Sequence, residues 1–254
     1  MKQAILLNFI SLLHKILTTC FDKVLVNWSP KSDFKFLLLI MYLYEYTTGW
    51  NIKYRIVKMQ DSQIIEAFLS IIGTKKEAEY YHDFIMATRV LHLRKNQKLV
   101  EYQNQSSAMS FIFKGSLVRK IINPRGEKRT IMFHTDGFHE FIKSYDSIYF
   151  HNHTDYEVIA NEPTTIVSFD YLKIMEIVRS DLRLLNYFTE KTEELLMTLD
   201  LFRNYHLSLT SEEYLRWLYR NYNFIFLKFP SKEIASFMGI TPVWLSKLKA
   251  KLNS

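Results

Sequence analysis

The chain of 254 residues contains one cysteine, six glycines and five prolines. Cys20 alone excludes an intramolecular disulfide framework and any four-thiolate zinc or iron–sulfur centre, and it suits a reducing cytosol. So few glycines leave little material for loops whose backbone amides cradle phosphates. There is no glycine-rich phosphate loop, no His-Glu-x-x-His and no serine flanked by glycines at elbow spacing. No enzyme signature remains, and neither an enzyme nor a cofactor is expected. Anionic charge is also short: the formal charge is +7, which suits an anionic partner but does not separate nucleic acid from an anionic membrane surface. What the chain does have is apolar material, 48% of its residues, enough for a sizeable core and one to three domains.

Residues 1–58 hold much of that apolar material in the runs AILLNFISLLHKILTTCF and FLLLIMYLYEY. His14 and Lys15 interrupt the first, and the second falls well short of the roughly 20 residues of a membrane span. No small-residue cleavage site follows to make a secretory signal. These residues read as an atypical hydrophobic extension, either a segment upstream of the functional domain or the product of a mis-assigned start. A membrane-associated extension or an added subdomain are the alternatives, and no membrane association is expected unless the segment is native. From Met59 the chain reads as an ordinary domain: Asp61 or Ser62 as cap, then Ile64, Ile65, Phe68, Leu69 and Ile72 at helical spacing, and a second helix near Lys75 to Met86.

Over residues 88–170 the period shortens. TRVLHLR, KLVEY, MSFIFKG, SLVRKII, KRTIMFH, YEVIAN and TTIVSFD are rich in β-branched and aromatic residues, and Asn123-Pro124-Arg125-Gly126 supplies a turn. Short strands in such number predict an antiparallel barrel or jelly roll over residues 59–179. From about Ser180 to Tyr205 the period is helical. Leu185, Phe188, Thr192, Leu195, Leu199 and Phe202 fall at steps of 3, 4, 3, 4 and 3, a heptad seam suited to pairing with a second copy. The alternative is a helix packed on its own barrel.

The last 24 residues, SKEIASFMGITPVWLSKLKAKLNS, carry the fullest signal. Ile234, Ala235, Met238, Ile240, Leu245 and Leu248 are what two short helices bury when they cross steeply. Ala235 is the small residue where they touch, and Gly239 serves a turn that favours positive φ. Ser231 reads as the cap of the first helix, and Thr241 before Pro242 as the start of the second. This is a helix-turn-helix, whose second helix would present Val243, Trp244, Ser246, Lys247 and Lys251 outward to double-stranded DNA. From Arg203 onward eight Lys and Arg accompany three Glu, so the basic excess travels with the motif. Ser231, Thr241, Val243, Trp244, Ser246, Lys247, Lys249 and Lys251 are the candidate DNA-binding residues, the lysines for salt-dependent affinity and Val243, Trp244 and Ser246 for site choice.

The order of parts, leading helices, an eight-or-so-stranded barrel, a long helix over 180–205 and a helix-turn-helix domain over 206–254, resembles the Crp/Fnr-type transcriptional regulators. The nearest flavour is the group common in Bacteroidota. SLTSEEYLRWLYRNYNFIFLKFPSKEIASFMGITPVWLSKLKAKL carries the resemblance, with weaker similarity back through FIFKGSLVRKIINPRGEKRTIMFHTDGF. It implies an α+β fold, a cyclic-nucleotide-binding-like barrel and a cytoplasmic homodimer that binds DNA, together with RNA polymerase if it activates. The resemblance also has gaps. Members that bind cyclic nucleotides carry Gly-Glu in a short helix and an Arg about a dozen residues later. Gly137, Phe138, His139 and Glu140 are a distorted version, and residues 144–172 contain no Lys or Arg, so cyclic-AMP control is not expected and the effector is unknown. His134, His139, His151 and His153 invite a metal reading, but histidines at the surface are the expectation and no metal is assigned. Phe138, Phe141, Tyr145, Tyr149, Phe150 and Tyr156 read as core. Best-known members have Arg-Glu at Pro242 and Val243 and Arg at Lys247, so their target cannot be transferred, and no β wing is expected after this helix. The rival reading is a barrel that senses a small molecule or metal, its last helices binding protein.

Overall fold

A computed structural model describes residues 60–252 apart from Pro124. The expectations for residues 1–58 lie outside the described residues, and the contacts set Met59–Ser254 apart as one unit. That unit opens with α1 (Asp61–Ile71) and α2 (Tyr81–Met86) and continues with β1 (Thr88–Leu93), β2 (Lys98–Val100), β3 (Ala108–Lys114), β4 (Ser116–Ile122), β5 (Lys128–Thr135) and β6 (Phe141–Lys143). After α3 (Tyr145–Phe150) come β7 (Tyr156–Ala160) and β8 (Thr164–Asp170), then α4 (Tyr171–Ser180) and the long α5 (Leu182–Ser208). The chain closes with α6 (Ser211–Asn221), α7 (Asn223–Lys228), α8 (Ser231–Met238) and α9 (Pro242–Leu252).

The strands form two antiparallel four-stranded sheets, ordered β1-β8-β3-β6 and β2-β7-β4-β5. This is a jelly roll, as the strand spacing predicts. Gly115 alone links β3 to β4 at φ 114°, and a Cβ there would lie 2.6 Å from Thr164 Oγ1 and 2.9 Å from Thr164 Cα. Backbone conformation and space both require glycine. The predicted turn is also present, since the Gly126 amide donates to the Asn123 carbonyl at 2.9 Å.

Three elements differ from the sequence expectation. Residues 75–80 form successive tight turns rather than helix: the Ala78 amide bonds the Lys75 carbonyl and the Tyr81 amide bonds the Ala78 carbonyl. The helix expected from about Ser180 is α5, but a further helix, α4, precedes it in the stretch expected to belong to the barrel, and the two are divided at Asp181. This residue is extended, and its carboxylate accepts from the Arg183 amide at 2.9 Å and from the Tyr80 hydroxyl, so a local cap replaces helix continuity. Strand β6 was not foreseen: its three residues stand outside any longer β-rich run, whereas the equally short β2 lies within KLVEY.

Packing divides the interior. Phe68, Phe84, Phe111 and Phe169 join α1 and α2 to the first sheet. Leu117, Val158 and Ile166 fill the barrel. A third cluster crosses from barrel to C-terminal helices: Phe133 of β5 lies 4.5 Å from the Phe229 ring and 5.1 Å from the Phe237 ring, measured between centroids. One fully buried phenylalanine is worth about 1.5–3 kcal/mol relative to exposure, so this contact binds the last helices firmly to the roll.

Candidate nucleic-acid interface and barrel cavity

Helices α8 and α9 meet as the apolar spacing predicts. Ile234, Ala235 and Met238 of α8 and Leu245 and Leu248 of α9 are buried in one cluster with Tyr214, Leu215 and Leu218 of α6. Gly239 adopts φ 68°, and the Ile240 amide returns to the Ala235 carbonyl at 3.0 Å, which closes α8 and turns the chain into α9. Thr241 is the expected cap: its Oγ1 accepts from the Trp244 amide at 3.1 Å.

The cap expected of Ser231 is not formed. Pro230 is the N-cap and Ser231 is the first helical residue, its hydroxyl instead accepting from Lys249 Nζ at 3.2 Å. Lys249 is thereby drawn to the side of the hairpin, 5.3 Å over the Phe226 ring, where burial lowers its pKa. Lys251 lies 3.4 Å from Glu212. Val243 and Trp244 are 67% and 42% exposed, and Ser246 and Lys247 also face solvent. The outer face of α9 thus takes no part in the core, while its inner face supplies Leu245 and Leu248.

Helix α8 does not face solvent on its other side. Its Glu233, nearly buried, is held by Lys120 of β4 at 2.9 Å and by the Thr130 hydroxyl of β5 at 2.8 Å. The Thr130 amide donates to Ser236 Oγ at 2.9 Å. Alternation along β4 places Lys120 here and Arg119 on the opposite face, inside the roll.

Inside, a cavity of about 30 Å³ lies between the barrel and α5, lined by Arg119, His134, His139, Glu140, Lys143 and Tyr145 and by Phe188, Lys191, Thr192 and Leu195. Its polar groups are unevenly satisfied. Lys191 bridges Glu140 at 2.8 Å and Glu194 at 3.2 Å, and these carboxylates raise its pKa against the opposing effect of burial. Arg119 stacks 3.8 Å over the Tyr156 ring and donates to the Lys143 carbonyl at 3.3 Å. Lys143 Nζ lies 4.5 Å from the Tyr145 ring and 4.9 Å from the Tyr171 ring, and burial lowers its pKa. Neither has a carboxylate partner among the described residues. His134 is 2% exposed, and its Nδ1 sits 2.7 Å from the His139 carbonyl; burial, reinforced by Arg119, pushes its pKa down to about 3.

No family model and no curated protein matches the chain. Solved structures do. FixK2 from Bradyrhizobium japonicum superposes with a TM-score of 0.54 at 13% identity, over 65% of this chain and 84% of that one. A CooA mutant from Carboxydothermus hydrogenoformans gives 0.56 at 17% identity, over 73% and 83%. The c-di-GMP responsive regulator CLP from Xanthomonas campestris gives 0.53 at 11% identity, over 76% and 92%. The chain has the Crp/Fnr-type fold.

Within the Crp/Fnr-type frame the sequence-predicted residues are dispersed. His139 and Glu140 line the cavity, whereas Phe138 leaves it to pack against Phe224, ring centroids 4.9 Å apart, and against Phe202 and Tyr222. Gly137 caps nothing in the cavity; its amide bonds Thr135 Oγ1. Of the histidines expected at the surface, His151 and His153 are there, but His134 and His139 are buried, because they sit on and just after β5 with α5 over them. Among the described residues no group of three or more His, Cys, Asp or Glu is placed to hold a metal ion. The heptad seam also turns inward. Phe188, Thr192 and Leu195 line the cavity, Phe202 belongs to the C-terminal cluster and Leu185 packs beside the first core, leaving Leu199 exposed. The alternative of a helix packed on its own barrel describes most of that face. Arg119 and Lys143 carry no sequence signal as cavity residues: they lie outside residues 144–172, where the resemblance places the cation, and arrive from β4 and β6.

Proposed function

We propose that the chain is a sequence-specific DNA-binding transcriptional regulator, acting as a homodimer, with a barrel that does not take a cyclic nucleotide. The observation that carries this reading is the division of α9: Leu245 and Leu248 are buried while Val243, Trp244, Ser246 and Lys247 stand exposed on a helix framed by a tight turn. Lys247 and Lys251 would meet phosphates, and Val243, Trp244 and Ser246 the base edges. Lys249 and Ser231 would act from the flank, as a bonded pair beside the groove. The role of CLP as a global regulator, and the fold shared with FixK2 and CooA, favour this use of the hairpin over a protein-binding one.

Pairing would use the edge of α5 left open. Leu196 and Leu199 are 60% and 43% exposed, and Leu185 and Thr192 are half-buried at heptad-compatible steps on the same edge. Two hairpins related by a two-fold axis would then read half-sites about one turn of DNA apart. Selection from a random duplex pool with the full chain tests the proposal. Enrichment of a two-fold-symmetric site, bound less tightly as salt rises, is expected; enrichment of nothing, with and without hydrogen phosphate or bicarbonate, would overturn it.

A further inference from the structure

The cavity is a poor resting place for its own cations. Arg119 and Lys143 converge on it from different strands with tyrosine rings but no carboxylate against them, and the acids nearby, Glu140 and Glu194, are already engaged by Lys191. Both are half-buried, and partly desolvated cations without counter-charge carry a cost of which rings recover only part. Three buried polar atoms of the lining are also without partners: Arg119 Nε, His134 Nε2 and His139 Nε2. The His134 tautomer follows from chemistry. Its Nδ1 faces a carbonyl, which only accepts, so Nδ1 carries the proton; the ring is neutral and Nε2 is left as an acceptor. The lining therefore asks for negative charge at Arg119 and Lys143 and for a donor at His134. A volume of about 30 Å³ exceeds the minimum for one water but leaves no room for a nucleotide.

We propose that this cavity is a receptor for a small oxyanion that carries an O–H, such as hydrogen phosphate or bicarbonate, with Arg119 and Lys143 holding the charged oxygens and His134 accepting from the O–H. His139 offers a further polar contact. Anion binding at this cavity is independent of what the C-terminal hairpin contacts. A consequence for DNA rests on the regulator reading: Lys191, Thr192 and Leu195 of α5 form one wall, so an occupant touches the helix that leads into the C-terminal helices.

Calorimetric titration of the full chain without DNA, at constant ionic strength made up with chloride, tests it. Hydrogen phosphate or bicarbonate should bind saturably, tighter than nitrate or formate, which lack the O–H. Arg119→Gln and Lys143→Met should each raise Kd by about tenfold to a hundredfold, as expected for loss of a charge-assisted hydrogen bond. Long-range proton–nitrogen spectra give the location without any variant: the anion should shift the ring nitrogens of His134 and His139 and leave those of His151 and His153 in place. Absence of saturable binding by every anion would overturn the proposal, as would binding that leaves His134 and His139 unmoved. A non-saturating stabilisation kept in both variants would be general salt exclusion and would overturn it too. Anion binding with no enriched DNA site would sink the regulator reading and leave the receptor standing.

Discussion

Lysines in the barrel and lysines on α9 are the same residue put to opposite physical uses. Lys143 is half-buried beside two tyrosine rings, its charge uncompensated and its pKa lowered by burial, whereas Lys247 stands in solvent with no packing to maintain. Water supplies the counter-charge screening outside, so a surface lysine is free to exchange its ions for phosphates. Inside, the water shell is only partial, and an unpaired cation marks either a defect or a binding site. Between the two regions lies the seam of Glu233, Thr130 and Phe133, which fastens one to the other.

Removing that fastening should have the largest effect. Phe133→Ala takes a ring from the contact with Phe229 and Phe237 and should cost about 3–5 kcal/mol in denaturant unfolding. If it cost less than 1 kcal/mol, the barrel and C-terminal helices would not share a core in solution. Glu233→Ala should cost about 1.5–3 kcal/mol, the range for hydrogen bonds to a charged group, with Glu233→Gln recovering part of it through Thr130.

The barrel end is tested by acid. The folded pKa of His134, about 3, lies below the ordinary value of 6.5, so between these pH values the unfolded chain binds a proton that the folded chain refuses. Stability should therefore fall as pH drops from about 6.5 toward 3, at up to about 1.4 kcal/mol per pH unit from this group. Urea midpoints for His134→Gln across that range should show a shallower slope. An unchanged slope would place His134 in contact with water.

Lys247→Glu addresses the outer end and should be nearly silent in unfolding, within about 0.5 kcal/mol. Its effect belongs to DNA: weaker binding on every sequence and a salt dependence shallower by about 0.9 per lost phosphate contact. Val243→Ala should do the reverse, changing which sites are enriched more than the salt slope. Equal and negligible effects from both would remove α9 from the interface.

Local signals carried most of the fold. Strands β4 and β8 begin and end where alternation and β-branched content place them, and the hairpin of α8 and α9 follows from Ala235, Gly239 and Thr241, each constrained by its nearest neighbours in the chain. Strand β6, three residues outside any longer β-rich run, was not legible, and neither was helix α4 with the local cap at Asp181 that divides it from α5.

The candidate sites divide along the same line. The exposed face of α9 was readable because helix geometry converts spacing directly into facing. The cavity was not, because Arg119, His134, Lys143 and Lys191 meet only through strand order and the seating of α5, which no periodicity records. The seam of α5 shows why. A heptad specifies that one stripe of a helix is apolar, and the stripe from Leu185 to Phe202 is. Whether a stripe is covered by a second copy or by the chain's own barrel depends on which surface is within reach at a given concentration. The chain's own surfaces, covalently attached and always adjacent, have claimed this stripe: the barrel takes Phe188 and the C-terminal helices take Phe202. Sequence by itself determined the elements and the hairpin, since those depend on residues a few positions apart; tertiary structure decided the cavity and the facing of α5, since those depend on segments whose separation along the chain carries no local trace.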